Sequence, residues 1–446
     1  MLSRLERRFG SRTAILFQKD SFARRVFTLM SGTALAQATT LLIAPLLSRL
    51  YRPEDFGLFA MYVTLLSISA PVIAVRYELA IVPAETDDDA FGLLLLSFGI
   101  SIVLGVVVLI GLEQRKLLHA VGLTPLAGYS LPIALGVVLN GTYQTLLQFK
   151  TREQKFRTIA RSQLVQSTGA AVVQASTGAL VAQSGIALVA GHLVGTILSC
   201  LNVSRGLRDG FVTWGKRHKG NYVDTLKTVA HRYRNHPIFL PWGGFVNALA
   251  QKLPVLMLSA FYGPFFLGLY ALADRLLRTP VSLVGQSSSQ VFFQKMTESH
   301  VKARMPRLIL IWAGAMTLCS AVPFTLFYFF SRPLFALILG DKWAPAGDLA
   351  AVLIPIYWGG LVVTPISTML IVANRQAMLL GIQVLFLITG FGSLWIGHRV
   401  LSSGAQTLML YSIVQWLVYL VYLFALLSTA KAVAREQVQP SNACVA

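Results

Sequence analysis

What most limits this chain is a succession of apolar blocks, each about as long as a bilayer is thick. Twelve can be marked, near 26–48, 58–82, 91–112, 129–149, 161–182, 185–204, 237–260, 264–290, 307–330, 347–373, 377–397 and 406–430. About 20 residues at 1.5 Å rise cross a hydrocarbon core ~30 Å thick. Each block is expected to be helical throughout, because a helix satisfies its own backbone polar groups within one segment. Composition agrees, with 55% of the 446 residues apolar and only 13% charged, against about 25% charged in a soluble domain. A soluble enzyme, a disordered chain and a coiled coil are excluded. The expected fold class is all-α integral membrane, with twelve transmembrane helices.

The net charge of +20 invites a nucleic-acid reading, but its placement follows the membrane. With the N-terminus inside, 27 of the 38 Lys and Arg fall on the cytoplasmic side, 7 on the opposite side and 4 within spans. That asymmetry puts both termini in the cytoplasm and leaves no need for a nucleic-acid partner. The acidic loop Glu85–Asp89 falls on the same side, where acidic residues weigh little. The first 25 residues hold seven basic residues around the short apolar patch Ala14–Phe17, so the first long apolar run reads as a retained span. Cys200 and Cys319 sit in apolar runs and Cys444 in the tail, which gives neither a disulfide framework nor a metal site. No cofactor is expected.

The expected layout is a basic N-terminus (1–25), a six-helix lobe (26–204), a basic linker (205–236), a second six-helix lobe (237–430) and a tail (431–446). An internal repeat supports it. Shifted by 211, Leu47, Ser48, Tyr51, Pro53, Gly57, Leu58 and Ala60 land on Leu258, Ser259, Tyr262, Pro264, Gly268, Leu269 and Ala271, seven identities in fourteen positions. Six spans per half return the chain to the same side, so the repeats are parallel, related by a pseudo-two-fold axis along the membrane normal. Two-lobed transporters are built this way, with the substrate path between lobes near mid-membrane.

No catalytic constellation is present: the outer loops are short and none gathers His with Ser, Cys or paired carboxylates. Glu54–Asp55 reads as a solvated turn. Charges within spans say more. Arg76 and Glu78 lie in the second span, Lys252 in the seventh, and Asp274, Arg275 and Arg278 in the eighth. A charge at mid-bilayer costs about 2.5–3.5 kcal/mol on insertion scales, so such residues face protein or a wet cavity. Pairing Asp274 with Arg278 (i, i+4) and Glu78 with Arg76 leaves Arg275, ~16 Å deep, and Lys252 over. An excess of cations suits an anionic substrate, and Arg is a forked donor for phosphate. Each has a structural reading beside the functional one: Arg76 and Lys252 as anchors reaching the interfaces, Arg278 as partner of Asp274. Asp274 and Glu78 are coupling residues or charge partners. Asn140 and Gln144 on the fourth span, and Asn247 and Gln251 on the seventh, are candidate ligands for sugar hydroxyls. So are Gln37, Gln148, Gln163, Gln166 and Gln174, and all of these amides serve equally well to tie helices together.

The stretches GTALAQ, LLSRLYRPEDFGLFAMY and VRYELAIVPAETDDDA within Gly32–Ala90 resemble the opening of Wzx-type lipopolysaccharide O-antigen flippases. These are polysaccharide transporters of the multidrug/oligosaccharidyl-lipid/polysaccharide export superfamily. Asn247–Gly285, Gln290–Lys295 and Trp343–Pro355 continue the resemblance in order. It implies two MATE-like six-helix bundles facing a cationic cavity, in the bacterial inner membrane. The implied activity moves an undecaprenyl-pyrophosphate-linked oligosaccharide from the cytoplasmic to the periplasmic leaflet, with membrane lipids and polysaccharide polymerase machinery as partners. Arg76 and Arg275 fall in the family-like motifs RYELA and LADRLL. The alternatives are a cation-coupled small-molecule exporter of the same fold and a membrane polymerase or glycosyltransferase. The first usually needs an unencumbered buried carboxylate, and the second needs charged residues gathered at a membrane face.

Overall fold

A computed structural model describes residues 22–114, 124–180, 184–296, 305–373 and 375–438. Among these residues every regular element is a helix. The chain runs through α1 (Phe22–Leu42), α2 (Ala44–Leu50), α3 (Pro53–Ser69), α4 (Tyr77–Ala80), α5 (Asp87–Glu113), α6 (Ser130–Arg152), α7 (Phe156–Leu180) and α8 (Gly185–Val203). Two shorter helices follow, α9 (Arg208–Arg217) and α10 (Tyr222–Arg232). Then come α11 (Asn235–Met296), α12 (Met305–Leu339), α13 (Ala344–Ser367), α14 (Met369–Val372), α15 (Gln376–Val400) and α16 (Gly404–Val438). Eight stretches of the described chain are apolar and long enough to cross a bilayer by that measure alone. One of these, Pro241–Phe293, folds back at Gly263, whose φ of 75° lies in the left-handed region open to glycine. The all-α membrane class expected from the apolar blocks is borne out. The end of the tail beyond Val438, with Cys444, and most of the basic N-terminus lie outside the described residues.

The helices gather into two compact units. The first takes the chain up to Leu50, with Leu65–Leu117 and Leu126–Phe245; the second takes Tyr51–Thr64, Leu118–Pro125 and Val246–Ala446. In the first unit α7 packs along α8 through small residues. A Cβ on Gly195 would meet backbone of Gln166 and Ala170, and one on Gly169 would come within 3.0 Å of Leu198. Small residues let helix backbones approach closely where lipid provides no hydrophobic drive between helices. Away from these contacts, α5 presents Ile102, Val103, Val106, Val107 and Ile110, all more than half exposed or close to it, as a lipid-facing stripe.

The start of α5 is built locally. Thr86 caps the helix by accepting from the Asp89 backbone N–H at 3.0 Å, and Asp87, Asp88 and Asp89 fill the first turn. Both features favour a helix N-terminus, the cap by satisfying an orphan donor and the acids by meeting the dipole. Three arginines from three other elements close on these acids. Arg152 reaches Asp87 at 3.0 Å, Arg217 binds Asp88, and Arg232 reaches Asp89 at 2.7 Å. Trp214 adds an Nε1–H bond to the Asp88 carbonyl at 3.2 Å. Much of the basic linker is therefore folded as α9 and α10 onto the acidic loop.

In the second unit the two copies of the internal repeat meet each other. A Cβ on Gly57 would run into the carbonyl of Pro264, and one on Gly268 into the carbonyl of Pro53. Pro53 and Pro264 are repeat counterparts, as are Gly57 and Gly268, so each copy's glycine seats the other copy's proline. Phe56 packs edge-on against Trp343 at 5.1 Å, and Lys342 donates to the Tyr51 carbonyl at 2.9 Å. A cluster including Phe292, Ile309, Ile366, Leu370 and Leu426 forms the core among α11, α12, α13, α14 and α16.

The second span departs from expectation. The apolar block predicts one helix over 58–82, but α3 ends at Ser69, and turns cover 70–76 before the single turn of α4. Pro71 has no N–H to continue the ladder and disfavours helical backbone at the residue before it. Val75 (φ 49°) and Arg76 (φ 64°) then take left-handed backbone, uncommon for any residue but glycine. The freed groups close three-residue turns instead: Val72 N–H to Ser69, Val75 N–H to Val72 and Tyr77 N–H to Ala74, at 2.9–3.1 Å.

Candidate functional site

In the first unit the break in the second span carries Arg76. Its Nη1 lies 3.7 Å from the Glu78 carboxylate, an ion pair without a close hydrogen bond. The Arg76 Nε and the Glu78 Oε2 are buried with no hydrogen-bond partner. Gly244 leaves room for the guanidinium; a Cβ there would strike Arg76 Nη2 and come within 3.0 Å of Pro71. The amides of this unit that were candidate sugar ligands are mostly committed to the fold. Gln163 accepts from Thr33 at 2.8 Å, Gln166 donates to Thr196 at 3.1 Å, and Gln174 donates to the Leu188 carbonyl at 2.8 Å. Asn140 approaches the Leu66 carbonyl at 3.5 Å. Gln144, one turn on, is half-buried.

The second unit contains a cavity of about 730 Å³. Asp274 and Arg278 line it as a two-pronged pair: Arg278 Nε donates to one carboxylate oxygen at 3.0 Å and Nη2 to the other at 2.9 Å. The i, i+4 spacing on one continuous helix places them so. The Tyr357 hydroxyl donates to the same carboxylate. Both of its oxygens are thereby occupied, and two of the five guanidinium donors are used. Asn247 and Gln251 also line the cavity.

Lys252 and Arg275 do not line it. Both are half-buried, and among the described residues neither side chain makes an ion pair or a hydrogen bond. Of the residues singled out from the sequence, the structure brings Asp274, Arg278, Asn247 and Gln251 to one cavity and sets Arg76 beside Glu78. It also places Gln286, Gln290, Gln383, Tyr357 and Tyr419 on the cavity wall, none of which the sequence marks as a candidate ligand. Gln286 and Gln290 stand at i, i+4 on the same helix as Asp274 and Arg278. That periodicity is the available signal in the sequence, and it is weak because it falls at the very end of an apolar block. Among the described residues no group of His, Cys, Asp and Glu is arranged to hold a metal ion.

Residues 46–348 match the sequence profile described as "Polysaccharide biosynthesis protein". The chain belongs to that family. The match bears out the resemblance carried by the motifs of Gly32–Ala90 and Asn247–Pro355. No curated protein matches the chain in sequence. Among solved structures, the chain is similar to a multidrug resistance MATE family transporter of the MOP superfamily in its inward-facing conformation. That likeness has a TM-score of 0.70 at 12% identity and covers 95% of this chain and 98% of the transporter. The outward-facing conformation of a multidrug resistance MATE family transporter of the MOP superfamily matches with a TM-score of 0.55 at 12% identity, covering 94% and 98%. The Vibrio cholerae MATE transporter VcmN in its bent form gives 0.51 at 12% identity, covering 93% and 97%. At these identities the likeness concerns the fold. This polysaccharide biosynthesis family member is thus an integral membrane protein with a MATE-like fold.

Proposed function

We propose that this protein is a flippase that carries an undecaprenyl-pyrophosphate-linked oligosaccharide, the repeat unit of O-antigen or a related surface polysaccharide. The load moves from the cytoplasmic to the periplasmic leaflet of the bacterial inner membrane by alternating access. The observation that carries this reading is membership of a polysaccharide biosynthesis family in a chain with a transporter fold. The lobes 26–204 and 237–430 are its moving parts, joined by the linker 205–236. Twelve spans with both termini cytoplasmic agree with the 27-to-7 division of Lys and Arg. Membrane lipids and the polysaccharide polymerase machinery are its partners, and no bond is made or broken in the substrate.

Arg275 is the residue assigned to the pyrophosphate. It stands without a carboxylate partner among the described residues, and a guanidinium fork matches phosphate oxygens in a way an ammonium does not. Arg76 and Lys252 supply further positive charge. The cation-exporter alternative asks for a carboxylate free to exchange substrate for an ion, and Asp274 is held by Arg278 and Tyr357.

The test is genetic. Deleting the gene in a strain with no second flippase is expected to abolish surface polysaccharide and to accumulate its lipid-linked repeat unit on the cytoplasmic leaflet. Complementation with Arg275→Ala should restore little polysaccharide at unchanged membrane protein level, and Arg275→Lys should restore part. Normal polysaccharide in the deletion strain overturns the reading. Normal polysaccharide with Arg275→Ala overturns only the Arg275 assignment.

A further inference from the structure

Some amides tie helices together and others line a cavity. In the first unit Gln163, Gln166 and Gln174 each bond another helix. In the second, Gln251, Gln286, Gln290 and Gln383 line the cavity, and among the described residues none of their side chains has a hydrogen-bond partner. Gln251, Gln286 and Gln290 are exposed to that space, and Gln383 is half-buried. A glutamine offers two donors and an acceptor, and leaving them unsatisfied at membrane depth is costly. Polar residues held there without a structural partner face a wet cavity or a ligand. Gln415 is the contrasting case on the same wall, since it donates to the Phe386 carbonyl at 3.1 Å.

Aromatic rings share the wall, Tyr357 and Tyr419 among them. Tyr357 stands beside the Asp274–Arg278 pair. Tyr419 lies flat along α13 because Gly359 leaves space for it: a Cβ there would come within 2.8 Å of the ring. Gly360 also faces the ring, with its Cβ position 3.2 Å from the hydroxyl. Among the described residues the only charged ones lining the cavity are Asp274 and Arg278, and they neutralise each other. A pyrophosphate would find no uncompensated cation here. Hydroxyl-bearing rings with apolar C–H faces would find amides for the hydroxyls and tyrosine faces for the rings. A volume of about 730 Å³ falls in the ordinary range for a small-molecule site, enough for a short saccharide.

We infer that the cavity of the second unit is a subsite for the uncharged sugar units of the transported molecule, with Gln251, Gln286, Gln290 and Gln383 as hydrogen-bonding ligands and Tyr357 and Tyr419 as ring platforms. This rests on the flippase reading, and it separates the sugar from the pyrophosphate in space and in chemistry.

The experiment uses the purified full-length protein in detergent and three probes. These are the repeat oligosaccharide released by mild acid from the organism's own lipid-linked pool, undecaprenyl pyrophosphate without sugar, and the intact lipid-linked oligosaccharide. Titration calorimetry should show the free oligosaccharide binding to the unaltered protein. Gln286→Leu with Gln383→Leu should weaken that binding about tenfold or more, because hydroxyls are left facing apolar groups. Affinity for undecaprenyl pyrophosphate should change less than about twofold. Size-exclusion profiles establish that the variant is folded, and Gln251→Ala, on an exposed amide that precedes the kink of α11 at Gly263, stands in if it is not. Equal weakening of both probes, or no weakening of either, overturns the sugar subsite while the flippase reading stands. If the unaltered protein binds none of the three probes, the flippase reading falls and the subsite with it.

Discussion

The second span and the eighth are counterparts in the internal repeat, and they begin alike. Each enters through a proline and a glycine that seat the other copy, Gly57 on Pro264 and Gly268 on Pro53. They then diverge. The eighth continues as one helix to Met296 and carries Asp274 and Arg278 at helical spacing, closed into a two-pronged pair at 2.9 and 3.0 Å. The second breaks after Ser69, and its charges Arg76 and Glu78 stand 3.7 Å apart, with one buried polar atom of each unsatisfied. The same packing solution thus supports two kinds of charge site. A continuous helix fixes a pair geometrically and neutralises it. A broken one holds its cation by backbone that is itself strained.

The largest effect should come from what the two copies share. Gly57→Leu and Gly268→Leu both drive a side chain into a backbone carbonyl that has no rotamer to yield, so each should cost about 3 kcal/mol or more. Monodisperse yield in detergent measures this, and a marked inequality between the two would break the reciprocity. Next is the closed pair. Asp274→Asn leaves Arg278 uncompensated at a cost of about 2 kcal/mol, below the 3–5 kcal/mol of a fully enclosed pair because Arg278 is 42% exposed to the cavity. Adding Arg278→Gln should recover most of it, and the double variant should keep part of its polysaccharide export. Recovered folding with export abolished would make Asp274 a coupling residue instead. The open site should respond in the opposite sense. Val75→Gly removes a β-branched residue from left-handed backbone and should raise stability by up to about 1 kcal/mol, read as a higher Tm. The smallest change belongs to the arginines around the α5 acids. Asp88→Asn should cost under about 1 kcal/mol, and less as salt is raised, because Asp88 and Arg217 are both substantially exposed.

Much of this architecture could be read from the chain before any coordinates. Apolar blocks mark membrane helices directly because lipid leaves the backbone no alternative. The spacing of Asp274 and Arg278 implies their contact because helix geometry alone decides it. The break at 70–76 was hidden. Pro71 is one of several prolines in apolar blocks, and Pro355 and Pro365 lie inside α13 without ending it. What distinguishes Pro71 is its setting, with Gly244 leaving space for the Arg76 guanidinium, a contact between segments remote in sequence. The amides show the same limit. Gln166 and Gln286 look alike in a sequence, and only packing tells that the first bonds Thr196 while the second faces a cavity. The acids Asp87–Asp89 read from the sequence only as an acidic loop, and not as the anchor of α9 and α10, because their arginines come from residues 152, 217 and 232.

The most direct test of the account is made with the purified protein in proteoliposomes. Lipid-linked oligosaccharide is placed in both leaflets, and an impermeant lectin or glycosidase reports the share reached from outside. The flippase predicts that the accessible share rises from about half towards completion on the timescale of the assay. Arg275→Ala should slow the rise strongly, and an organic cation loaded inside should not be exported. An accessible share that stays at the level of protein-free vesicles, with export of the organic cation against an imposed ion gradient, would contradict it.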